Sequence, residues 1–248
     1  MSNSSLASYK KISPNKTSPR KHKIDTISIH CAVGQFTAKE ILNFNHFTKY
    51  NPSKGASCNY AIGCDGSIGI GVEEKDRSWC TSSKSNDHRA ITIEVASDTS
   101  HPYKVKDAAY KSLIKLLVDI CKRNNIKELK WKGDKKLIGQ VDKQNMTVHR
   151  WFANKDCPGD YLYKRHGQIA SEVNAILKPG FKSYQVKVSI DDLNIRTGPG
   201  TNYSKTGKCT GKGTFTIIEE RQGQGSKKGW GKLKSGAGWV SLDYAVKI

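Results

Sequence analysis

The strand predicted at the centre of the fold reads Arg89-Ala90-Ile91-Thr92-Ile93-Glu94-Val95-Ala96. It is mostly apolar, as strands are when they lie in the middle of a sheet and are covered on both faces. Residues 24–30 alternate apolar and polar side chains up to His30, which is also a strand pattern. Residues 59–64 and 67–72 flank Asp65-Gly66, a dipeptide typical of a hairpin turn. Together these segments predict a β-sheet in the first half of the chain.

Helical signals occur in three segments. Thr37 and Glu40 have the spacing of a capping box, which predicts that a helix starts there. Apolar residues recur at helical spacing over residues 107–124, and a further helix is predicted over residues 164–177. Lys178-Pro179-Gly180 should end that helix, because neither Pro nor Gly continues a helix comfortably.

The composition changes near residue 180. Residues 184–248 consist of short alternating runs separated by Gly-rich turns, which predicts an all-β module. We therefore expect a first domain over residues 1–178, a linker over 179–183 and a second domain over 184–248. Residues 1 to about 23 are polar and rich in Lys, Ser and Pro, and we expect them to be a loosely held lead-in.

The formal net charge is +20 over 248 residues. Such an excess predicts a polyanionic partner or environment: nucleic acid, an acidic membrane surface or an anionic cell wall. Because the chain has no compact Lys/Arg tract, nucleic acid is not the expected partner. The sequence has no apolar run of about 18 residues, so membrane insertion is not expected. Residues 1–11 lack the apolar segment of a signal peptide.

Three residues of the first domain have the chemistry of metal ligands. His30 ends a strand pattern, His149 lies in a short strand-like piece, and Cys157 follows eight residues later. Two imidazoles and one thiolate leave one tetrahedral position of Zn²⁺ open for water, whose pKa then falls to about 7. Spacing alone only suggests this site, because a single His is more often a surface or hydrogen-bonded residue. A structural zinc site is disfavoured, since no second Cys-x-x-Cys or His-x₃-His motif completes a closed ligand set.

The order of these motifs resembles the amidase type 2 family, within the phage-lysozyme and peptidoglycan-recognition superfamily. The resemblance covers roughly residues 12–177 and rests on His30, the strand ending at Glu94, and the segment from His149 to Cys157-Pro158-Gly159. The family implies a mixed β-sheet flanked by helices, an α/β fold, with Zn²⁺ in a groove along one face. It also implies cleavage of the amide that joins the lactyl group of N-acetylmuramic acid to L-alanine.

Two further residues are candidates for catalytic roles. An amide hydrolase needs a group that moves protons and positive charge near the developing oxyanion. Matching family members place a catalytic Glu at the position of Glu94; the alternative is a Glu in a surface salt bridge at the strand edge. Lys155 lies two residues before Cys157, where many family amidases have a Lys that could stabilise the oxyanion. The alternative for Lys155 is an ordinary solvated side chain.

One position departs from the family pattern. Several relatives have a Tyr that assists the zinc water seven residues before the hairpin Asp, but here that position is Cys58. Either the nearby Tyr60 substitutes through a shifted register, or the chain relies on Glu94, which we favour. Cys80 occupies a place where some relatives have a His, and we expect it to line the groove or pack beneath it without binding the metal.

The second domain resembles bacterial SH3-like (SH3b) domains. Residues 193–203 match their signature, with a sharp turn at Gly198-Pro199-Gly200, and residues 229–233 and 238–244 complete the pattern. The resemblance implies a small all-β barrel that binds the cell wall, often at the peptide or cross-bridge of peptidoglycan. We expect Trp230 and Trp239 to pack in its core; the alternative is that exposed aromatic residues such as Tyr203, Trp230 or Tyr244 stack on a ligand.

The expected function is therefore that of an endolysin, a peptidoglycan hydrolase targeted to the Gram-positive cell wall by its SH3b domain. Residues 78–83 and 86–89 resemble endolysins and autolysins of clostridial phages and their hosts. Without a signal peptide, such a protein is expected to be made in the bacterial cytoplasm and released through a holin. The alternatives are a host autolysin with the same chemistry, a non-catalytic muropeptide-binding protein and a stem-peptide endopeptidase. The oligomeric state and the target species are left open.

Overall fold

The computed structural model describes residues 2–178 and 181–248. The chain divides into two compact units, Met1–Lys178 and Pro179–Ile248. Pro179 and Gly180, which fall in the predicted linker, lie outside the described residues. The first unit is a mixed α/β structure and the second is all-β, so the expected fold class is confirmed. None of the helices in the described ranges has the length and apolar character needed to cross a membrane.

A six-stranded sheet forms the centre of the first unit. The described strands are β1 (Tyr9–Lys10), β2 (Lys16–Thr17), β3 (Thr26–Cys31), β4 (Tyr60–Ile62), β5 (Ile68–Ile70), β6 (Arg77–Ser78), β7 (Ala90–Val95) and β8 (Met146–Thr147). The order in the sheet is β1-β5-β4-β7-β3-β8, while β2 and β6 form a separate pair. Because β7 lies between β4 and β3 and runs parallel to both, the prediction of a central strand at residues 89–96 is confirmed.

The helices of the first unit are α1 (Ala38–Leu42), α2 (Asn45–Thr48), α3 (Lys84–Arg89), α4 (Asp107–Arg123) and α5 (Gly159–Leu177). At the start of α1 the predicted capping box is present, with reciprocal hydrogen bonds between Thr37 and Glu40. α5 begins at Gly159, before the predicted start at Lys164. The sequence did not predict this first turn, because Pro and Gly usually interrupt a helix. Pro158 occupies the N-cap position, and the negative charge of Asp160 in the first turn interacts favourably with the helix dipole.

The two faces of the central sheet differ in chemistry. On one face β3, β4 and β7 contribute apolar side chains to the main core, which α4 and α5 complete. Each fully buried aliphatic side chain of this core contributes about 1.5–3 kcal/mol by leaving water. Alternate residues of the same strands point to the other face, and these are Ser28, His30, Thr92 and Glu94. The polar face therefore holds His30 and Glu94, whereas His149, which the sequence predicted in a strand-like piece, lies in a 3₁₀ turn after β8.

The expectation that residues 1 to about 23 are loosely held is wrong. β1 pairs with β5, β2 pairs with β6, and Asn15 and Arg20 are buried. The guanidinium of Arg20 donates hydrogen bonds to the carbonyl oxygens of Glu74, Asp76, His88 and Ala90. Polar composition predicted exposure, but buried polar groups are stable where backbone carbonyls supply their partners, and sequence alone does not show those partners.

The second unit is a seven-stranded antiparallel sheet. Its strands are β9 (Tyr184–Val188), β10 (Asn194–Arg196), β11 (Lys205–Cys209), β12 (Gly213–Arg221), β13 (Trp230–Leu233), β14 (Trp239–Ser241) and β15 (Ala245–Lys247), in the order β11-β10-β14-β13-β12-β9-β15. Trp230 and Trp239 are buried, as expected, whereas Tyr203 and Tyr244 are exposed. With Phe181, three aromatic side chains in the described part of this unit are thus exposed to solvent.

Candidate metal centre

His30 and Glu94 meet at the carboxyl ends of β3 and β7. The parallel pairing places the two residues directly opposite each other, and Ala61 of β4 stands opposite Glu94 on the other side. His30 Nδ1 lies 3.9 Å from Glu94 Oε1. Strand register therefore brings together two residues that are far apart in the sequence.

His149 and Cys157 reach the same place from the segment that follows β8. β8 pairs with β3, and a 3₁₀ turn over His149–Trp151 continues from its end. The backbone N–H of Arg150 donates to the carbonyl of Cys157 at 3.0 Å, and its guanidinium binds the Asp156 carboxylate at 2.9 Å. These bonds fold the segment back on itself, so that Cys157 Sγ lies 3.3 Å from His30 Nδ1.

The donor atoms of His30, His149 and Cys157 all lie within 4.8 Å of one another. In a tetrahedral zinc site two such ligands are about 3.3–3.8 Å apart, because Zn–N is about 2.0–2.1 Å and Zn–S about 2.3 Å. The structure thus brings the three predicted ligands to spacings that a zinc ion bridges with small side-chain adjustments.

Ser28 fixes which nitrogen of His30 faces the other ligands. The Ser28 hydroxyl donates to the carbonyl of Thr147 at 3.3 Å and lies 3.2 Å from His30 Nε2. Because the Ser28 hydroxyl donates its proton to the Thr147 carbonyl, it accepts a hydrogen bond from the Nε2–H of His30. The free lone pair of the His30 imidazole is then on Nδ1. A ligating His commonly has such a partner for its other nitrogen, because the partner sets the tautomer and the ring orientation.

The protonation of these ligands also suits a cation. Burial, with smaller contributions from His149 and His166, lowers the pKa of His30 well below its ordinary value, so its imidazole is neutral and able to ligate. Burial raises the pKa of the Cys157 thiol. A bound divalent ion supplies the charge that a buried thiolate needs, since a coordinating thiol is deprotonated outright. The donor set therefore fits zinc.

Glu94 is a partly buried residue, and one of its carboxyl oxygens has no hydrogen-bond partner. Its Oε1 accepts a weak hydrogen bond from Cys80 Sγ at 3.8 Å, and its Oε2 is buried without a hydrogen-bond partner. Burial, with a further contribution from Cys31, raises the pKa of Glu94 to about 8. Among the described residues Glu94 lies near the neutral imidazole of His30, at 3.9 Å, and forms no salt bridge with a Lys or Arg. The salt-bridge alternative for Glu94 therefore has no support in the structure.

A groove of about 940 Å³ opens onto Glu94 and His149. Lys155 is exposed at its edge. Burial lowers the pKa of His149, and the positive charge of Lys155 adds to this effect. The groove residues that sequence reasoning missed are mostly in a loop and in β6; they include His46, Phe47, Pro52, Ser53, Lys54, Gly55, Ala56, Arg77, Trp79 and Lys84. No motif identified the loop, because it has no regular secondary structure and acquires its position only through tertiary contacts.

Tyr60 and Cys58, the two residues near the position of the family Tyr, lie in different places relative to Glu94. Tyr60 is on the face of the sheet opposite Glu94, and its hydroxyl donates to Glu74 Oε1 at 2.6 Å. Arg123 binds the same carboxylate at 2.6 Å, which stabilises this buried charge. Tyr60 therefore has no access to the metal ligands in this register. Cys58 is buried beside Glu94, whose charge contributes, after burial, to raising the pKa of the Cys58 thiol.

Cys80 lines the groove, as expected, and it also lies close to His30 and Glu94. His30, Cys80 and Glu94 have donor atoms within 4.8 Å of one another, so they form a second possible ligand group that shares His30 with the first. The expectation that Cys80 does not bind the metal stays a prediction.

Comparison with known proteins identifies the family to which the first unit is similar. A protein-family model described as N-acetylmuramoyl-L-alanine amidase matches residues 20–160. A comparison with curated protein sequences gives no significant match. Solved structures similar to this chain include an endolysin N-acetylmuramoyl-L-alanine amidase, LysCS, from Clostridium intestinale URNW, with 16% identity over 69% of this chain and 99% of that one at a TM-score of 0.46. They also include a selenomethionine derivative of AmpD, with 19% identity over 68% of this chain and 96% of that one at a TM-score of 0.49. A mutant endolysin from Bacillus subtilis has 16% identity over 66% of this chain and 97% of that one at a TM-score of 0.47.

Proposed function

The chain belongs to the N-acetylmuramoyl-L-alanine amidase family, and we propose that it is a zinc-dependent hydrolase that cleaves the amide between N-acetylmuramic acid and L-alanine. The family supports peptidoglycan amidase activity for this chain. The zinc dependence, the residue roles and the targeting of the enzyme to the cell wall are our proposals.

One observation carries the zinc proposal: His30, His149 and Cys157 converge beside a carboxyl group with a free buried oxygen. Three ligands leave one tetrahedral position open, which distinguishes a catalytic from a structural zinc site. A protein that only binds muropeptides has no need for a complete ligand set or for a proton acceptor next to it. The geometry therefore favours hydrolysis over recognition.

When bound, zinc supplies Lewis-acid activation of water and of the scissile carbonyl. The positive charge of a bound zinc ion would lower the raised pKa of Glu94, so that its Oε2 could accept a proton from the attacking water and deliver it to the leaving nitrogen of L-alanine. The carbonyl carbon of the lactyl group gains a C–O bond and loses its C–N bond, so the products are a carboxylate and an amine. Lys155 adds positive charge at the edge of the groove, where the oxyanion develops.

The charge of the groove fits a substrate that carries carboxylates. Lys54, Arg77, Lys84 and Lys155 line it, against the two acidic residues Asp87 and Glu94. Trp79 adds a partly exposed aromatic surface beside them. Peptide stems of peptidoglycan are anionic, so this excess of positive charge should draw them toward the ligands.

Digestion of purified Gram-positive cell walls tests the bond that is cleaved. We expect the protein to release amino-terminal L-alanine and to create no new reducing sugar ends. Amino termini of other stem residues would instead identify an endopeptidase. If zinc is bound and no new terminus appears on any wall tested, the protein is a muropeptide-binding protein.

We further propose that the second unit binds the cell wall. Its sequence resemblance to SH3b domains, its all-β fold and its excess of 11 Lys and Arg over 5 Asp and Glu in residues 184–248 support this role. Tethering the enzyme to its polymer raises the local substrate concentration, so weak binding by each unit suffices.

Substitution of both exposed tyrosines tests this second role. We expect the Tyr203→Ala/Tyr244→Ala variant to co-sediment with walls several-fold less than the wild type, because exposed aromatic surface is a common contact for ligands. Hydrolysis of a soluble muropeptide should stay unchanged. Equal loss of activity on walls and on the soluble substrate would contradict a targeting role.

A further inference from the structure

We propose that the segment of residues 13–17 is part of the substrate-binding machinery, with Asn15 and Thr17 as positioning residues that fix two walls of the groove. This inference rests on the proposed function of the groove. The segment precedes the region that matches the family model, which begins at residue 20. It reaches the groove because β2 pairs with β6, which carries Arg77.

Asn15 is fully buried and directs its side chain into one loop. Its amide nitrogen donates to the carbonyls of His46 and Lys49, each at 2.9 Å, and its Oδ1 accepts from the backbone N–H of Asn51 at 2.9 Å. The Ser13 hydroxyl adds a bond to the carbonyl of Phe47 at 2.5 Å. A single side chain thus satisfies three backbone groups of residues 46–51.

The loop has hydrogen bonds of its own, such as that from the backbone N–H of Gly55 to the carbonyl of Asn51 at 2.8 Å, and Asn15 adds to them. After α2 ends at Thr48, residues 49–58 form neither helix nor strand, and residues 49–54 are exposed. Backbone groups that point inward from such a loop require partners, and Asn15 supplies several of them. The fit is close: a Cβ on Gly55 would lie 2.4 Å from Asn15 Oδ1. The loop contributes five of the eighteen residues that line the groove, and α2 contributes two more.

Thr17 holds a second wall. Its Oγ1 accepts hydrogen bonds from Trp79 Nε1 at 3.0 Å and from Arg77 Nη2 at 2.5 Å. Both donors belong to side chains that line the groove, and Thr17 lines it as well. The two lone pairs of one hydroxyl therefore set the positions of an aromatic ring and a guanidinium.

The metal ligands and Glu94 are held differently. They stand on β3, β7 and the segment after β8, whose positions depend on the sheet and on Arg150. Loss of the Asn15 or Thr17 bonds should therefore move the groove walls and leave the ligand set in place. The result expected is weaker substrate binding with almost unchanged chemistry.

Steady-state kinetics on a soluble muropeptide, with the zinc-loaded full chain, tests this inference. We expect Asn15→Ala and Thr17→Val each to raise KM about tenfold, the effect of losing roughly one or two hydrogen bonds, and to change kcat by less than about threefold. Hydrogen exchange at the Asn51 amide should become faster in Asn15→Ala only. Zinc content should remain that of the wild type.

Tyr60→Phe is the matched control. It removes a buried hydroxyl that binds the backbone N–H of Ser4 at 2.8 Å, on the face of the sheet away from the groove. We expect it to lower the melting temperature and leave KM unchanged. Thr17→Val is nearly isosteric, so it keeps the test valid if Asn15→Ala fails to fold. A wild-type KM in an active Thr17→Val variant would overturn only this inference and leave the proposed function intact. An inactive wild-type protein would instead reject the proposed function itself.

Discussion

Replacement of Cys157 by Ala is expected to abolish amide hydrolysis and to remove zinc from the protein. Cys157 supplies the thiolate of the ligand group, and its Sγ lies 3.3 Å from His30 Nδ1. Two imidazoles alone leave a zinc ion with too few protein ligands, since catalytic sites have three. We expect kcat/KM to fall at least about a thousand-fold, because zinc activates both the nucleophile and the carbonyl. Metal content by mass spectrometry and release of amino-terminal L-alanine measure the two effects.

Matched variants separate ligation from general thiol chemistry. Cys209→Ala removes an exposed cysteine of the second unit and should retain full activity and zinc. Cys157→Asp restores an anionic ligand and should recover part of the zinc binding, since carboxylate oxygens also ligate zinc. His149→Ala should behave like Cys157→Ala. A Cys157→Ala protein that keeps one zinc per chain and full activity would contradict the assigned ligand set.

Replacement of Glu94 by Gln is expected to lower kcat by about 10²–10⁴-fold, the usual contribution of a positioned acid or base. Gln keeps the shape of the side chain but cannot accept a proton at the position of the free Oε2. Zinc content and KM should change little, because the three ligands are untouched. Steady-state kinetics together with metal analysis separate these effects.

Glu128→Gln, at a partly exposed position that does not line the groove, is the control for the loss of a carboxylate and should have wild-type kcat. Loss of zinc from Glu94→Gln would instead assign Glu94 to the second ligand group with His30 and Cys80. Wild-type kcat with bound zinc would exclude Glu94 as the group that transfers the proton.

Much of the fold was predictable because its signals are local. The capping box at Thr37 and Glu40, the hairpin at Asp65-Gly66 and the helical spacing from residue 107 are all short-range patterns, and each corresponds to an observed element. The prediction that His30, His149 and Cys157 lie together rested on the family resemblance and not on their spacing in the sequence. Their actual meeting depends on strand register and on the bonds of Arg150, neither of which a linear pattern contains.

The parts that were missed depend on distant partners. Residues 1–23 looked unstructured because their side chains are polar, yet Asn15 and Arg20 are buried against carbonyls from loops far along the chain. Whether Tyr60 could replace a family Tyr was left open, because two residues along a strand return to the same face. The structure excludes this role, since Tyr60 belongs to the α4 side of the sheet.

Titration of metal-free protein with zinc tests the central claim most directly. The protein would be stripped with a chelator, supplied with increasing zinc and assayed on purified walls for amino-terminal L-alanine. We predict that the stripped protein is inactive and that activity rises in proportion to zinc until one ion is bound per chain. Full release of L-alanine by the stripped protein, or no release at any zinc concentration, would contradict the account of a zinc amidase.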